Sequence, residues 1–166
     1  MTTLAPDFRD LVKCLNSAGV RYLVVGGYAV NFHGHHRNTA DFDVWLSVDP
    51  ENAARVSKAL QLFGFNAQSV PPSMFETKGP IHVFGRKPFR IDLLTSPSGV
   101  DFEDCFSRRV ETEIDGLLIP WISLQDLKAN KRAAGRTKDM ADLENLPNKP
   151  LSTPKPGRPK KRKRRT

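Results

Sequence analysis

The chain has 166 residues, enough for one domain with a buried core, and a formal net charge of +8. Eight Lys or Arg residues and no acid occupy residues 155–165, so the other 18 basic residues balance the 18 acidic ones and the net charge belongs to this tail. Cys14 and Cys105 are too few and too distant for a disulfide framework, no apolar run could cross a bilayer, and the first residues lack the pattern of a secretory signal.

The first quarter of the chain predicts a helix, a buried strand and a glycine turn. Apolar residues recur at helical spacing between residues 6 and 18, and Gly19 suits the stop. Residues 20–25 carry little polar character and predict a central strand. Gly26 and Gly27 follow at once and open a short helix that ends at Phe32.

A second strand, residues 41–47, carries Asp41 and Asp43 two positions apart. Alternation along a strand places both carboxylates on one face and the intervening apolar side chains in a core. Glycines at a strand end leave backbone N–H groups free for an anion. Two aligned carboxylates beside such a turn therefore predict a site for a metal-bound triphosphate.

The loop between these elements, residues 33–38, contains three histidines and Arg37. Imidazole is a common metal ligand, but no cysteine or fourth histidine lies nearby in the sequence, which favours a solvated loop over a dedicated zinc site. Arg37 lies four residues before Asp41. It is either a phosphate ligand or a surface side chain paired with a local acid.

The middle of the chain predicts a helix and then a weaker element. Asp49 as N-cap and Pro50 at the first position start a helix that runs to Leu62, and Gly64 ends it. Residues 65–70 predict a weak strand before a proline-rich break.

Two further strands, residues 81–84 and 89–94, predict a β-hairpin with a short basic connection. Arg90 and Asp92 share one face of the second strand. An aspartate between isoleucine and leucine is costly to bury unless it is paired or metal-bound. Asp92 is either a third site carboxylate or part of an exposed polar face. The presence of Asp41 and Asp43 on the strand at residues 41–47 favours the first interpretation.

The last part of the domain predicts a short helix at residues 102–106, a hairpin at residues 110–119 and a helix pair. Ser123 suits the N-cap of the first helix, which ends at Gly135. The second begins at Thr137, and its predicted apolar stripe is Met140, Leu143 and Leu146. Basic side chains cluster at the junction of the pair; these are Lys131, Arg132, Arg136 and Lys138. From the residues alone, a self-paired charged surface explains them as well as a phosphate site does.

Three parts of the chain carry a family resemblance. Gly26-Gly27, thirteen residues, then Asp41-Phe-Asp43-Val resembles the motif of the DNA polymerase β-like nucleotidyltransferase superfamily, with Gly27 in place of the commoner serine. Asp92 is similar in context to that family's third carboxylate. Residues 123–143 resemble the C-terminal helices of small stand-alone members, some of which are toxins or partners in toxin–antitoxin and abortive-infection systems.

The resemblance covers roughly residues 7–146 and implies an α/β (α+β) fold. This fold has a mixed, mostly antiparallel sheet flanked by helices, with a C-terminal helix pair. The implied reaction moves a nucleoside monophosphate from a nucleoside triphosphate to a hydroxyl of an RNA or a protein. It uses two Mg²⁺ ions, for which Mn²⁺ is a substitute.

The resemblance also implies roles for individual residues. Asp41, Asp43 and Asp92 would be the catalytic and metal-binding carboxylates. The nucleotide-binding residues would be Gly26, Gly27, Arg37, Lys131, Arg136 and Lys138.

From residue 147 the composition changes, so we expect residues 1–146 to form the domain and 147–166 a disordered, proline-rich and basic tail. Residues 156–160 resemble an AT-hook, except that Pro156 stands where arginine is usual. Generic binding of DNA or RNA explains the charge better. The residues expected to make it are Arg158, Lys160, Lys161, Arg162, Lys163, Arg164 and Arg165. A solubilising tail without a specific partner is the alternative.

Two other functions compete with the enzyme. An inert member would keep the fold and act as a toxin–antitoxin partner. A nucleic-acid-binding protein would act through the tail, with the domain as a passenger. The family suggests a cytoplasmic protein without a membrane partner, and the tail suggests an association with DNA or the nucleoid.

Overall fold

A computed structural model of the chain describes residues 4–151. That range contains six α-helices and six strands. In chain order these are α1 (Pro6–Ser17), β1 (Tyr22–Val25), α2 (Gly26–Phe32), β2 (Asp41–Leu46), α3 (Pro50–Phe63), β3 (Ile81–Phe84), β4 (Arg90–Leu94), α4 (Phe102–Ser107), β5 (Val110–Ile114), β6 (Leu117–Trp121), α5 (Leu124–Ala134) and α6 (Thr137–Asn145).

The six strands form one sheet in the order β3-β4-β2-β1-β6-β5. The pairs β1–β2, β3–β4 and β5–β6 are antiparallel, whereas β2–β4 and β1–β6 are parallel. The predicted mixed, mostly antiparallel sheet with flanking helices is therefore confirmed, as is the C-terminal helix pair.

Alternation along the strands gives the sheet two different faces. On one face Phe42 of β2 stacks against Phe8 of α1, with their ring centroids 4.9 Å apart, and α3 packs against α1. The opposite face carries Asp41 and Asp43 and is called the carboxylate face below. Farther along this face Trp45 packs edge-on against Phe102 of α4, with ring centroids 5.3 Å apart, so α4 covers that end.

The predicted helix starts have the expected caps. The Asp49 carboxylate accepts a hydrogen bond from the backbone N–H of Asn52 at 2.8 Å, and the Ser123 hydroxyl accepts one from Asp126 at 3.1 Å. Gly135 ends α5 in the left-handed conformation, with φ at 65°. None of the helices in residues 4–151 is both long and apolar enough to cross a membrane.

The weak strand predicted for residues 65–70 is wrong, because the structure has a 3₁₀-helix at Ala67–Ser69. The Asn66 side chain accepts a hydrogen bond from the backbone N–H of Gln68 at 2.9 Å and so closes a tight turn. The Ser57 hydroxyl donates to the Val70 carbonyl at 2.6 Å and ties the turn to α3. Local side-chain bonds thus override the strand tendency.

Candidate functional site

The glycine turn at the end of β1 leaves room for a carboxylate. Gly26 has φ at 65°, and a Cβ atom built on it would overlap Oδ2 of Asp43. A Cβ atom on Gly27 would lie 2.5 Å from Oγ1 of Thr39 and 3.4 Å from Nη1 of Arg37. Both glycines therefore permit a close approach that no other residue would allow.

Strand register brings the three predicted carboxylates to one face of the sheet. Asp43 lies opposite Val25 of β1 on one side and opposite Asp92 of β4 on the other. Asp41 lies opposite Arg90. Because directly opposed residues project to the same side of a sheet, Asp41, Asp43 and Asp92 all lie on the carboxylate face beside the glycine turn.

Within residues 4–151, no Lys or Arg side chain is in direct contact with the carboxylates of β2. Burial, and then the negative charges of Asp92 and Asp41, raise the pKa of Asp43 to about 6. The positive charges of Lys138 and Lys131 oppose this shift. Oδ1 of Asp41 is buried without a hydrogen-bond partner. This pair of aspartates is therefore electrostatically strained and would gain from a cation.

Asp92 differs from the other two because Arg90 holds both of its oxygens. Arg90 Nε donates to Oδ1 at 2.8 Å and Nη2 donates to Oδ2 at 3.1 Å. Within residues 4–151, no group of three or more His, Cys, Asp or Glu side chains is arranged to hold a metal ion. The three aspartates thus share a face of the sheet without being arranged around a common metal position, because the Asp92 oxygens are directed toward the Arg90 guanidinium.

The donor set fits a hard divalent cation at two of its three positions. Asp41 and Asp43 offer oxygen ligands, which Mg²⁺ prefers, and the unpartnered Asp41 oxygen and the crowded Asp43 would both be relieved by a cation. Asp92 would join them only by leaving Arg90.

Three of the predicted nucleotide-binding side chains lie in a second group of charges, which we call the α5–α6 ion cluster. Its members are Arg37, Lys131, Arg136, Asp139 and Asp142. Lys131 Nζ lies 3.1 Å from Asp139 Oδ1 and 3.0 Å from Asp142 Oδ2. Arg37 donates to both oxygens of Asp142 at 2.8 and 3.0 Å, and Arg136 Nε donates to Asp139 Oδ2 at 2.8 Å.

The comparison with known families agrees with this geometry. A family model described as aminoglycoside-2''-adenylyltransferase matches residues 7–146, which is most of the chain. The chain belongs to this family. It is therefore a nucleotidyltransferase, and a nucleotide is the substrate class that such an enzyme binds.

Two solved structures are similar to this adenylyltransferase family member, and the likeness to the first concerns the fold. A proposed nucleotidyltransferase from Thermotoga maritima is 16% identical, with a TM-score of 0.53, over 86% of this chain and 93% of its own. A nucleotidyltransferase-like antigen from Paracoccidioides brasiliensis is 17% identical, with a TM-score of 0.47, over 84% of this chain and 72% of its own. No curated protein sequence matches the chain.

The apolar stripe predicted for α6 of this nucleotidyltransferase is wrong at Met140, whereas Leu143 is half-buried and Leu146 is buried in the core. Met140 is 48% exposed, and the buried residues of α6 are Asp139 and Asp142. Burial would raise the pKa of both carboxyls, but hydrogen bonds from Arg136 and Lys131 to Asp139, and from Arg37 and Lys131 to Asp142, hold the pKa values below the usual range. The spacing of Asp139 and Asp142, three residues apart on one helix face and shortly after Lys131, was the feature of the sequence that could have indicated this buried ion cluster.

Among the other predicted site residues, Lys138 is exposed, and its charge acts on Asp43. His33 of the neighbouring loop is buried, and its Nε2 lies 2.7 Å from the carbonyl oxygen of Ile122. Burial lowers its pKa, so His33 anchors the loop rather than lying in solvent. The interpretation of residues 33–38 as fully solvated is therefore wrong at its first residue.

A cavity of about 830 Å³ lies elsewhere, between the loop after β4 and α5. It is lined in part by Cys105, Arg108 and Asp126 and by none of the predicted site residues. Burial, and then the negative charge of Asp126, raise the pKa of the Cys105 thiol to about 12, which removes it as a nucleophile at neutral pH. The Arg108–Asp126 pair, at 2.9 Å, ties α4 to α5. The cavity is therefore not the candidate site.

Proposed function

We propose that this nucleotidyltransferase is metal-dependent and uses Asp41, Asp43 and Asp92 as its catalytic carboxylates. The acceptor hydroxyl oxygen attacks the α-phosphorus, the bond from that phosphorus to the β-phosphate oxygen breaks, and pyrophosphate leaves. The acceptor proton passes to Asp92 or to water. The observation that carries the proposal is the register that sets three carboxylates on one face beside Gly26.

Each carboxylate has a role that follows from its surroundings. Asp41 and Asp43 would hold the metal-bound triphosphate, because among the described residues no basic side chain is paired with either of them, and Oδ1 of Asp41 has no hydrogen-bond partner there. Asp92 would complete the second metal site, on the side from which the acceptor comes. When bound, two Mg²⁺ or Mn²⁺ ions would supply the positive charge that stabilises the attacking and the leaving oxygens.

The phosphates would lie between the glycine turn and the C-terminal helix pair. The backbone of Gly26 and Gly27 allows close approach, and Nη1 of Arg37 already reaches the Gly27 side of the turn. Lys138 is exposed and electrostatically coupled to Asp43, so it is suited to direct contact. Lys131 and Arg136 would reach a phosphate only by exchanging their aspartate partners, which suits support of the site more than direct binding.

We propose RNA or a protein as the acceptor, and the local charge favours RNA. Residues 77–91 comprise β3 and its turn into β4, next to Asp92. They contain Lys78, Arg86, Lys87 and Arg90 and no acidic residue. A polyanion matches this edge of the site, whereas a polycation would be repelled.

An aminoglycoside is the second candidate acceptor, because the matching family model carries that description. Aminoglycosides are polycations, and the basic composition of residues 77–91 disfavours them. A role in a toxin–antitoxin pair remains part of the proposal for the RNA-modifying enzyme. An inert partner protein is the alternative to it.

One labelling experiment tests these assignments. The full chain is incubated with Mg²⁺ and each of the four α-labelled nucleoside triphosphates, with cell RNA, cell protein or an aminoglycoside in separate arms. We expect label in the RNA or protein arm with at least one triphosphate, and none with Asp43→Ala. Label in the aminoglycoside arm alone would support the second candidate, and no label in any arm would support an inert protein.

A further inference from the structure

Arg90 lies among the site carboxylates without being one of the expected nucleotide-binding residues. In the β2–β4 ladder it is directly opposite Asp41, and on its own strand it is two residues before Asp92. Its guanidinium binds Asp92 as a fork, at 2.8 and 3.1 Å. The Arg90 side chain is 36% exposed and that of Asp92 is 12% exposed.

The charge of Arg90 belongs to the whole carboxylate group. Arg90 is paired directly with Asp92 and lies across the ladder from Asp41, and Asp43 lies across the ladder from Asp92. In the part of the chain that the structure describes, neither Asp41 nor Asp43 has such a fork, and Oδ1 of Asp41 is buried there without a hydrogen-bond partner. Arg90 therefore pairs with the carboxylate of Asp92 and leaves those of Asp41 and Asp43 available to a cation.

This arrangement sets Arg90 and a metal ion in competition for the same two oxygens. A planar guanidinium matches a carboxylate with two parallel hydrogen bonds, so both Asp92 oxygens are engaged by Arg90 and oriented toward it while the fork is closed. A cation that draws an Asp92 oxygen toward Asp41 and Asp43 therefore weakens the fork. The released Arg90 guanidinium would then lie at the edge of the site, still close to the negative charge of the aspartates.

We propose that Arg90 is a positioning residue that holds Asp92 away from the metal site until metal and nucleotide load, and thereby weakens the binding of metal alone. This inference rests on the proposed function. It makes the third metal ligand conditional, because Asp92 completes the site only when the arriving charge outcompetes Arg90.

Removal of Arg90 should have effects of opposite sign on metal binding and on stability. Metal affinity should rise, because the competitor and its positive charge are both lost. Stability should fall, because a mostly buried carboxylate loses its partner. A purely structural arginine would lower stability without tightening metal binding.

The chain offers a matched control for the test. Arg109 pairs with Glu111 across the same two-residue spacing, with Nε 2.8 Å from Oε1, on β5 and its approach. Its side chain is 31% exposed, close to that of Arg90. Arg109→Ala therefore removes the same charge, and an ion pair at the same sequence spacing, at a place remote from β4 in the sheet order.

The measurement is titration of the full chain with Mn²⁺ alone, followed by electron paramagnetic resonance, with thermal melting in parallel. We expect the Mn²⁺ Kd of Arg90→Ala to fall about tenfold, which corresponds to about 1.4 kcal/mol. Arg90→Lys should change it less, because lysine keeps the charge but not the fork. Arg109→Ala should leave it within about twofold of the wild-type value.

The outcomes separate this inference from the proposed function. Unchanged or weaker Mn²⁺ binding by Arg90→Ala, or an equal gain in Arg109→Ala, overturns the role of Arg90 alone. If Arg90→Ala does not fold, Arg90→Lys decides, and binding no tighter than wild type counts against the inference. Mn²⁺ binding that is no stronger in wild type and Arg90→Lys than in Asp41→Ala overturns both proposals.

Discussion

At Asp43 the demands of the site and of stability oppose each other. Burial and the neighbouring charges of Asp92 and Asp41 raise its pKa to about 6, above the ordinary value of about 3.9. The native state therefore binds more protons than the unfolded state between these values. The free energy of unfolding falls as the pH rises through that window, because the native carboxylate must then become charged.

We predict that Asp43→Asn raises the free energy of unfolding by about 2 kcal/mol at pH 8 and changes it little at pH 4. The amide has the shape of the carboxylate but no charge to bury. Urea unfolding at the two pH values measures the difference. Glu113→Gln, at an exposed position of β5, is the control and should show no such gain. If Asp43→Asn is no more stable than the wild type at pH 8, the charged Asp43 carboxylate does not destabilise the native state.

Gly26 and Gly116 offer a matched comparison of two glycines with positive φ. Their φ angles are 65° and 77°, but only the Cβ atom at Gly26 would meet a neighbour, Asp43, within 4 Å. Gly116→Ala should cost about 1 kcal/mol, for the left-handed backbone alone. Gly26→Ala should cost about 2 kcal/mol more and abolish transfer, because Asp43 must move. Equal losses of stability in urea, with transfer retained, would show that the turn does not need the close approach.

Among the elements, α6 packs against α5 through buried ion pairs. The Lys131 side chain is 5% exposed and those of Asp139 and Asp142 are 0% and 3% exposed. Partners in such a group depend on one another, since the loss of one leaves buried charge without compensation.

We predict that Lys131→Met lowers the free energy of unfolding at pH 7 by about 3–5 kcal/mol. The lowered pKa values of Asp139 and Asp142 mean that their stabilisation is present above about pH 4 and disappears as the pH falls further. The variant should therefore lose much of the acid sensitivity of the wild type. Lys58→Met, on the exposed side of α3, is the control in the same urea titrations. A loss no larger than the control's would contradict the ion cluster.

The elements that local rules determine could be predicted from the sequence. Caps at Asp49 and Ser123 and the alternation around Asp41 and Asp43 depend on residues within a few positions, and all are present. The errors arise where distant partners decide. The buried face of α6 depends on Lys131 from α5, and the position of the Asp92 oxygens depends on whether Arg90 or a cation takes them.

In the whole molecule, the net positive charge belongs to the tail, and the rest of the chain is formally neutral. The residues predicted to bind nucleic acid, 158–165, lie outside the described part of the chain, and so does most of the predicted tail. Its last described residue, Leu151, packs beside Gly34, with Cδ1 3.1 Å from the position of a Gly34 Cβ atom. The described chain thus ends at the loop that also carries Arg37.

We predict that deletion of residues 152–166 removes most RNA binding and leaves the stability of the domain unchanged. Eight positive charges on single-stranded RNA give a slope of log K against log salt of about −6, and its magnitude should fall toward zero in the truncated chain. Filter binding at several salt concentrations measures the slope. RNA binding that survives truncation would show that the domain surface is the determinant.

The most direct test of the central claim is transfer of label from an α-labelled triphosphate by wild type, Asp41→Ala and Asp43→Ala, with Mg²⁺ and with chelator. The account predicts transfer by the wild type with Mg²⁺ only, and background levels in both folded variants, because the carboxylates that would hold the cation are gone. Full transfer by either variant, or by the wild type in chelator, would contradict it.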